Sequence, residues 1–125
     1  MFEVSVAPAQ NVLDGAPARD PNAYATLVRE IGEIGAREVL AVFWSETCAR
    51  LQLLRTLSGE QHQARLAREA HSLKSTAGTF GYARLAALAL RLEKSAQTLH
   101  DTELCELLDL MDAAYAAARA QEPEG

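Results

Sequence analysis

From Leu85 onward, apolar residues recur at Leu88, Leu92, Ala96 and Leu99, in steps of three and four. That spacing keeps one face of a helix apolar, whereas a strand repeats every second residue. A stripe of this kind must be buried against partners, and the rest of the chain is built of the same material. Alanine and leucine together make up 42 residues, against six valines, two isoleucines and seven threonines. Straight-chain and small side chains lose little freedom in a helix, while β-branched ones lose more. An all-α protein is expected.

Residues 1–19 contain Pro8, Gly15 and Pro17 without a clear period and read as a loose N-terminal arm. Asp20 and Pro21 supply an N-cap and a first-turn proline, opening a short helix that reaches about Gly32. A second helix runs from near Gly35 to about Leu57, with Leu40, Phe43, Leu51 and Leu54 on its apolar side. Ser58 and Gln61 have capping-box spacing and open a third, which Gly81 separates from the fourth. Asp101 can cap the last helix, whose inward residues are Leu104, Leu107, Leu108, Met111 and Tyr115, and Pro123 ends it. Short links between amphipathic helices give an antiparallel up-down four-helix bundle with a short extra N-terminal helix, over residues 20–122.

The net charge of −5 and the pI near 5.1 argue against nucleic acid or an anionic membrane as partner. No apolar run approaches the roughly 18 residues of a membrane helix, and the N-terminus lacks the pattern of a signal peptide. A cytoplasmic monomer is expected. Cys48 and Cys105 show neither a C-x-x-C nor a zinc spacing and read as two buried thiols. His62 and His100 read as surface residues, and no histidine pair has a metal-ligand spacing. No ATP-binding segment fits, which disfavours an autonomous kinase.

The third helix carries more than packing demands. On a wheel of about 100° per residue, Leu66, Ala70, Leu73, Ala77 and Phe80 cluster within roughly 80° and form the core stripe. Ala67, His71, Lys74 and Gly78 cluster within roughly 60°, centred about 110° away, and should reach solvent. Taken singly, these are a polar surface residue, a solvated charge and a packing glycine. Together they invite another explanation. A glycine inside a helix costs about 1 kcal/mol relative to alanine, and one offset is room for another molecule to approach His71. A neutral imidazole is a nucleophile, and Lys74, one turn on, offers a positive charge to a phosphoryl group placed there. Phosphoryl transfer needs little beyond positioning and charge compensation.

The segment AHSLKSTAGTFGYARLAALALRLE, from Ala70 to Glu93, resembles the signature of histidine-containing phosphotransfer (HPt) domains, the four-helix bundles of two-component phosphorelays. The matching positions are His71, Leu73, Lys74, Ala77, Gly78, Gly81, Leu85 and Leu92-Glu93. The resemblance implies that His71 takes a phosphoryl group on its outer ring nitrogen and passes it between receiver-domain aspartates, or from a histidine kinase to a response regulator. It implies that Lys74 stabilises the phosphoryl charge and that Ala67, Ser75 and Gly78 lie where the partner docks. Mg2+ would come from the partner receiver, with no cofactor of the chain's own. GTFG at 78–81 resembles the phosphorylated module of chemotaxis kinases, in which a carboxylate from the next helix bonds the inner ring nitrogen. Glu93 aligns there and reads equally as imidazole orienter or as a solvated helix charge. Ser75 departs from the glycine that many family members carry after the lysine. Ser72, Ser75 and Thr76 read as solvent-facing or backbone-bonded rather than as phosphoacceptors. Phe43 and Trp44 read as core or half-buried, with Trp44 and Val42 also candidates to line the docking surface. The alternative function is a non-catalytic helical module that binds a receiver without phosphotransfer.

Overall fold

The structure, a computed structural model, describes residues 16–121. Most of the expected loose arm and the expected stop at Pro123 lie outside these residues. Among the described residues there are four helices and no strand: α1 (Pro21–Leu54), α2 (Gln63–Thr79), α3 (Ala83–Ser95) and α4 (Asp101–Ala120).

The start of α1 follows the expected logic. Asp20 accepts a hydrogen bond from the Asn22 N–H at 3.0 Å, and Pro21 fills the first helical position, where its missing N–H is no loss. The two separate helices expected here appear as one long element. It breaks at Gly32, whose φ of 83° and ψ of 164° lie outside helical space. Glycine enters that region without the steric cost a Cβ would bring, so residues 21–31 are set off from the length that joins the bundle.

Two helix starts differ from expectation. α2 begins at Gln63, with His62 as the flanking residue, rather than at Ser58. The Ser58 hydroxyl instead accepts from the N–H groups of Glu60 and Gln61 at 3.2 and 3.3 Å, closing a turn ahead of the helix. α4 is flanked by His100, whose N–H donates to Glu103 Oε1 at 3.0 Å. Asp101 therefore does not cap its own helix. Its carboxylate reaches across to accept the Gly59 N–H at 2.7 Å, pinning the α1–α2 link. Ser58 thus serves the Gln61 N–H that its spacing marked, though ahead of α2, whereas Asp101 serves backbone that its spacing did not mark.

One continuous core joins all four helices. It contains Leu40 and Leu51 of α1, Leu66 and Leu73 of α2, Leu85, Leu88 and Leu92 of α3, and Leu104, Leu108 and Met111 of α4. Trp44 belongs to this core at 4% exposure, so it cannot line a docking surface as anticipated. Its ring packs against Phe43, Tyr82 and Tyr115, and the Tyr115 hydroxyl donates to its carbonyl at 3.1 Å. α1 is enclosed at this level by the α2–α3 turn on one side and α4 on the other, which buries two adjacent positions. The thiols also depart from expectation, because Cys48 is half-buried and Cys105 exposed. Cys105 lies next to the inward Leu104, and one step of about 100° carries it off that stripe.

Candidate functional site

α2 and α3 are joined by a three-residue turn that fixes their relative placement. Gly81 in this turn has a φ of 84°, and a Cβ there would lie 2.6 Å from Ala23 Cβ and 2.9 Å from the Asp20 carbonyl. The Tyr82 N–H returns to the Ala77 carbonyl at 2.8 Å, and the Gly81 carbonyl accepts from Asp20 N–H at 2.7 Å. The turn is thus locked to both α2 and the entry of α1. The buried stripes Leu66, Ala70, Leu73, Ala77 of α2 and Leu85, Leu88, Ala89, Leu92 of α3 hold the pair together. Glu93, directly after Leu92, is carried to the edge of that interface.

There it meets two residues of α2. Its Oε2 lies 2.9 Å from His71 Nδ1 and its Oε1 lies 3.2 Å from Lys74 Nζ. The Glu93 carboxyl is held below the ordinary carboxylate range, first by the hydrogen bond from His71, then by Lys74, against an opposing push from burial. An ionised carboxylate can only accept, so the proton between Glu93 and His71 sits on Nδ1. That leaves the lone pair of the neutral ring on Nε2. The His71 side chain is 60% exposed, and among the described residues Nε2 has no hydrogen-bond partner. Glu93 Oε1 is shielded from solvent and makes no well-aligned hydrogen bond, so its ion pair with Lys74 is what compensates it.

Around the ring the surface is open. Gly78 is exposed, and a Cβ built on it would meet nothing within 4 Å. Ser75 is exposed, whereas Ala67 is half-buried against the core. Thr76 donates its hydroxyl to the Ser72 carbonyl at 3.1 Å, and Thr79 does the same to Ser75 at 3.0 Å, which ties both to the helix. Toward α1, Val39 and Val42, 40% and 54% exposed, border a shallow cleft with Thr76 and Phe80. His62 lies away from the site as half-buried rather than surface, its Nδ1 accepting from the Ser58 N–H at 2.8 Å. His100 is exposed. Among the described residues, no group of three or more His, Cys, Asp or Glu side chains is placed to hold a metal ion, and no helix is long and apolar enough to cross a membrane.

The spacing of α2 brought His71, Lys74 and Gly78 onto one face. That Glu93 joins them depends on the α2–α3 register, to which periodicity along one helix is blind. Arg68 stands three residues before His71, on the flank of this face opposite Lys74.

The site is thus an outward histidine on a helical bundle, with one ring nitrogen held by a carboxylate and the other open. The sequence model of the Hpt domain matches residues 38–121, more than half of the chain, and the chain belongs to that family. Hpt domains are phosphotransfer intermediates of two-component signalling rather than autonomous kinases, and they interact with receiver domains and histidine kinases. Comparison with curated proteins and with solved structures gives no match.

Proposed function

We propose that this chain carries a phosphoryl group on Nε2 of His71, between receiver-domain aspartates or from a histidine kinase to a response regulator. The observation that carries the reading is the 2.9 Å contact between Nδ1 and Glu93, which leaves Nε2 as the free nucleophile on an exposed ring. In the transfer, the Nε2 lone pair forms a bond to phosphorus. The bond from phosphorus to the receiver's aspartate oxygen breaks, and its electron pair stays on that carboxylate. The ring keeps its Nδ1 proton and gains a positive charge, which Glu93 offsets. Lys74 keeps Glu93 ionised and adds its field to the phosphoryl group from within one helical turn. A receiver-held Mg2+ would add charge compensation from the partner's side. Gly78 and Ser75 leave the space through which the receiver approaches, with Val39 and Val42 as an apolar border on the α1 side. We read the helices as running up and down in antiparallel order, with α2 and α3 adjacent through their short turn.

The test is direct labelling. Incubation with phosphorylated receiver domains, or with a histidine kinase and ATP, should give an acid-labile phosphate on the wild-type chain and none on His71→Gln. Label that persists in His71→Gln would overturn the site. A chain that binds the receiver equally well in both forms and is labelled in neither would be a docking module.

A further inference from the structure

α2 carries three cations, Arg65, Arg68 and Lys74, and two of them are already paired. Arg65 Nε lies 3.1 Å from Glu69 Oε2, and Lys74 Nζ lies 3.2 Å from Glu93 Oε1. Arg68 is exposed and has no hydrogen-bond or ion-pair partner among the described residues. It stands three residues before His71, about 60° around the helix on the flank opposite Lys74. Residues at this spacing have Cβ atoms about 5–6 Å apart, within reach of a long flexible side chain. Side chains on a helix lean toward its N-terminus, so the His71 ring leans over the turn that carries Ala67 and Arg68. Glu93 holds Nδ1 on the Lys74 flank, which leaves the other ring nitrogen on the open side.

The charge balance of the face points the same way. The form of the ring that can attack is the neutral one, and beside it Lys74 and Glu93 cancel. Transfer adds close to two negative charges on the phosphoryl oxygens, as on other phosphorylated side chains at neutral pH, and one positive charge on the ring. About one negative charge is left over. Were Lys74 to turn fully to the phosphoryl group, Glu93 Oε1, shielded from solvent, would lose the cation that compensates it. We propose that Arg68 pairs directly with the phosphoryl group on His71 as a further cation, while Lys74 stays with Glu93 and acts on that group only through its field. This rests on the reading of His71 as phosphoacceptor and names a further charge partner for it.

The readout is the equilibrium constant for transfer between a phosphorylated receiver domain and this chain, measured for wild type, Arg68→Gln and Arg68→Lys. Binding of the two proteins to each other cancels from that constant, so a role in docking alone cannot move it. Arg68→Gln should shift the equilibrium toward the phosphorylated receiver by roughly three- to tenfold, the scale of one exposed charge-assisted contact. Arg68→Lys should recover most of it. Because Arg68 is exposed and unpartnered, both variants should keep the wild-type urea midpoint. An equilibrium constant unchanged in Arg68→Gln overturns the inference, and a slower rate at an unchanged constant makes Arg68 a docking contact instead. Failure of the underlying reading looks different, since wild type itself would then carry no label on His71.

Discussion

At the scale of single residues, the site separates what stabilises the fold from what serves transfer. Gly78 is the clearest case. A Cβ there meets nothing within 4 Å, so alanine brings a helix-propensity gain with no clash. Gly78→Ala should raise stability by roughly 0.4–1 kcal/mol, read as a higher urea midpoint. It should also slow transfer from a phosphorylated receiver, because the added methyl stands where the partner approaches. A variant that is more stable and transfers equally fast would remove Gly78 from the docking surface. Glu93→Gln bears on the ring instead. A neutral amide can donate to Nδ1 as well as accept from it, so the proton is no longer confined to Nδ1. The transfer rate should fall roughly tenfold, the scale of one lost charge-assisted hydrogen bond. Nitrogen NMR of the ring should show a mixture of tautomers in place of a single Nδ1-protonated form. His71, Lys74 and Gly78 were legible as a set because all three lie on one helix, where spacing alone decides who are neighbours. The Glu93 contact was legible only through the family resemblance, and there as one of two even readings, because it depends on how two helices register.

At the scale of elements, the links between helices decide the geometry, and here sequence reading was weakest. The apolar stripes of α2, α3 and α4 could be read from their three- and four-residue steps, because burial imposes the helical period on sequence. The helix starts could be read only in part, because the Ser58 hydroxyl takes the expected Gln61 N–H but in a turn that precedes α2, and Asp101 bonds to the α1–α2 link instead of its own helix. Gly81 was legible as a break, while the reason it must be glycine was not. Gly81→Ala has to hold a φ of 84° and place a Cβ 2.6 Å from Ala23. It should cost at least about 2 kcal/mol, from left-handed backbone strain plus the clash, seen as a lowered urea midpoint. α1 and α2 are tied at a different level by Glu69, which meets Arg50 of α1 at 3.0 Å and Arg65 at 3.1 Å. The Arg50 hydrogen bond, with Arg65 adding to it, holds the Glu69 carboxyl below the ordinary carboxylate range despite the opposing effect of burial. In the unfolded chain the group has its ordinary affinity for protons, so acid favours unfolding. The stabilisation is complete above the ordinary range and is lost as pH falls through the lowered folded value. Between about pH 5 and about pH 3, the urea midpoint of wild type should therefore fall more steeply than that of Glu69→Gln. Parallel slopes would show that this ion pair carries no linkage.

For the whole molecule, the question is whether the reactive face and the core are energetically one system. The core cluster runs through all four helices without interruption, which is the condition for unfolding as a unit. Trp44 is the chain's single tryptophan and is buried in α1 among Phe43, Tyr82 and Tyr115, so its fluorescence reports the packing of α1 against the α2–α3 turn and α4. Leu66 lies in α2, fully buried, on the side of the helix away from His71. Leu66→Ala leaves a cavity in that shared core and should cost about 2–5 kcal/mol, depending on how far neighbours collapse into it. If the bundle is one cooperative unit, Trp44 fluorescence and far-UV circular dichroism will move to the same lower urea midpoint, although the substitution is in a different helix from the tryptophan. Transitions that separate would mean that α1 comes away independently of the α2–α3 pair. The site makes the complementary demand. His71, Lys74 and Glu93 hold one another through their own polar contacts at the edge of the α2–α3 interface, and the rest of the buried stripe, Ala70, Leu73 and Ala77, keeps the register when Leu66 is truncated. The transfer rate per folded molecule, measured in the absence of urea, should therefore stay close to wild type. A rate that falls in step with stability would show instead that the orientation of the imidazole is set by packing beneath α2 and not by the carboxylate of Glu93.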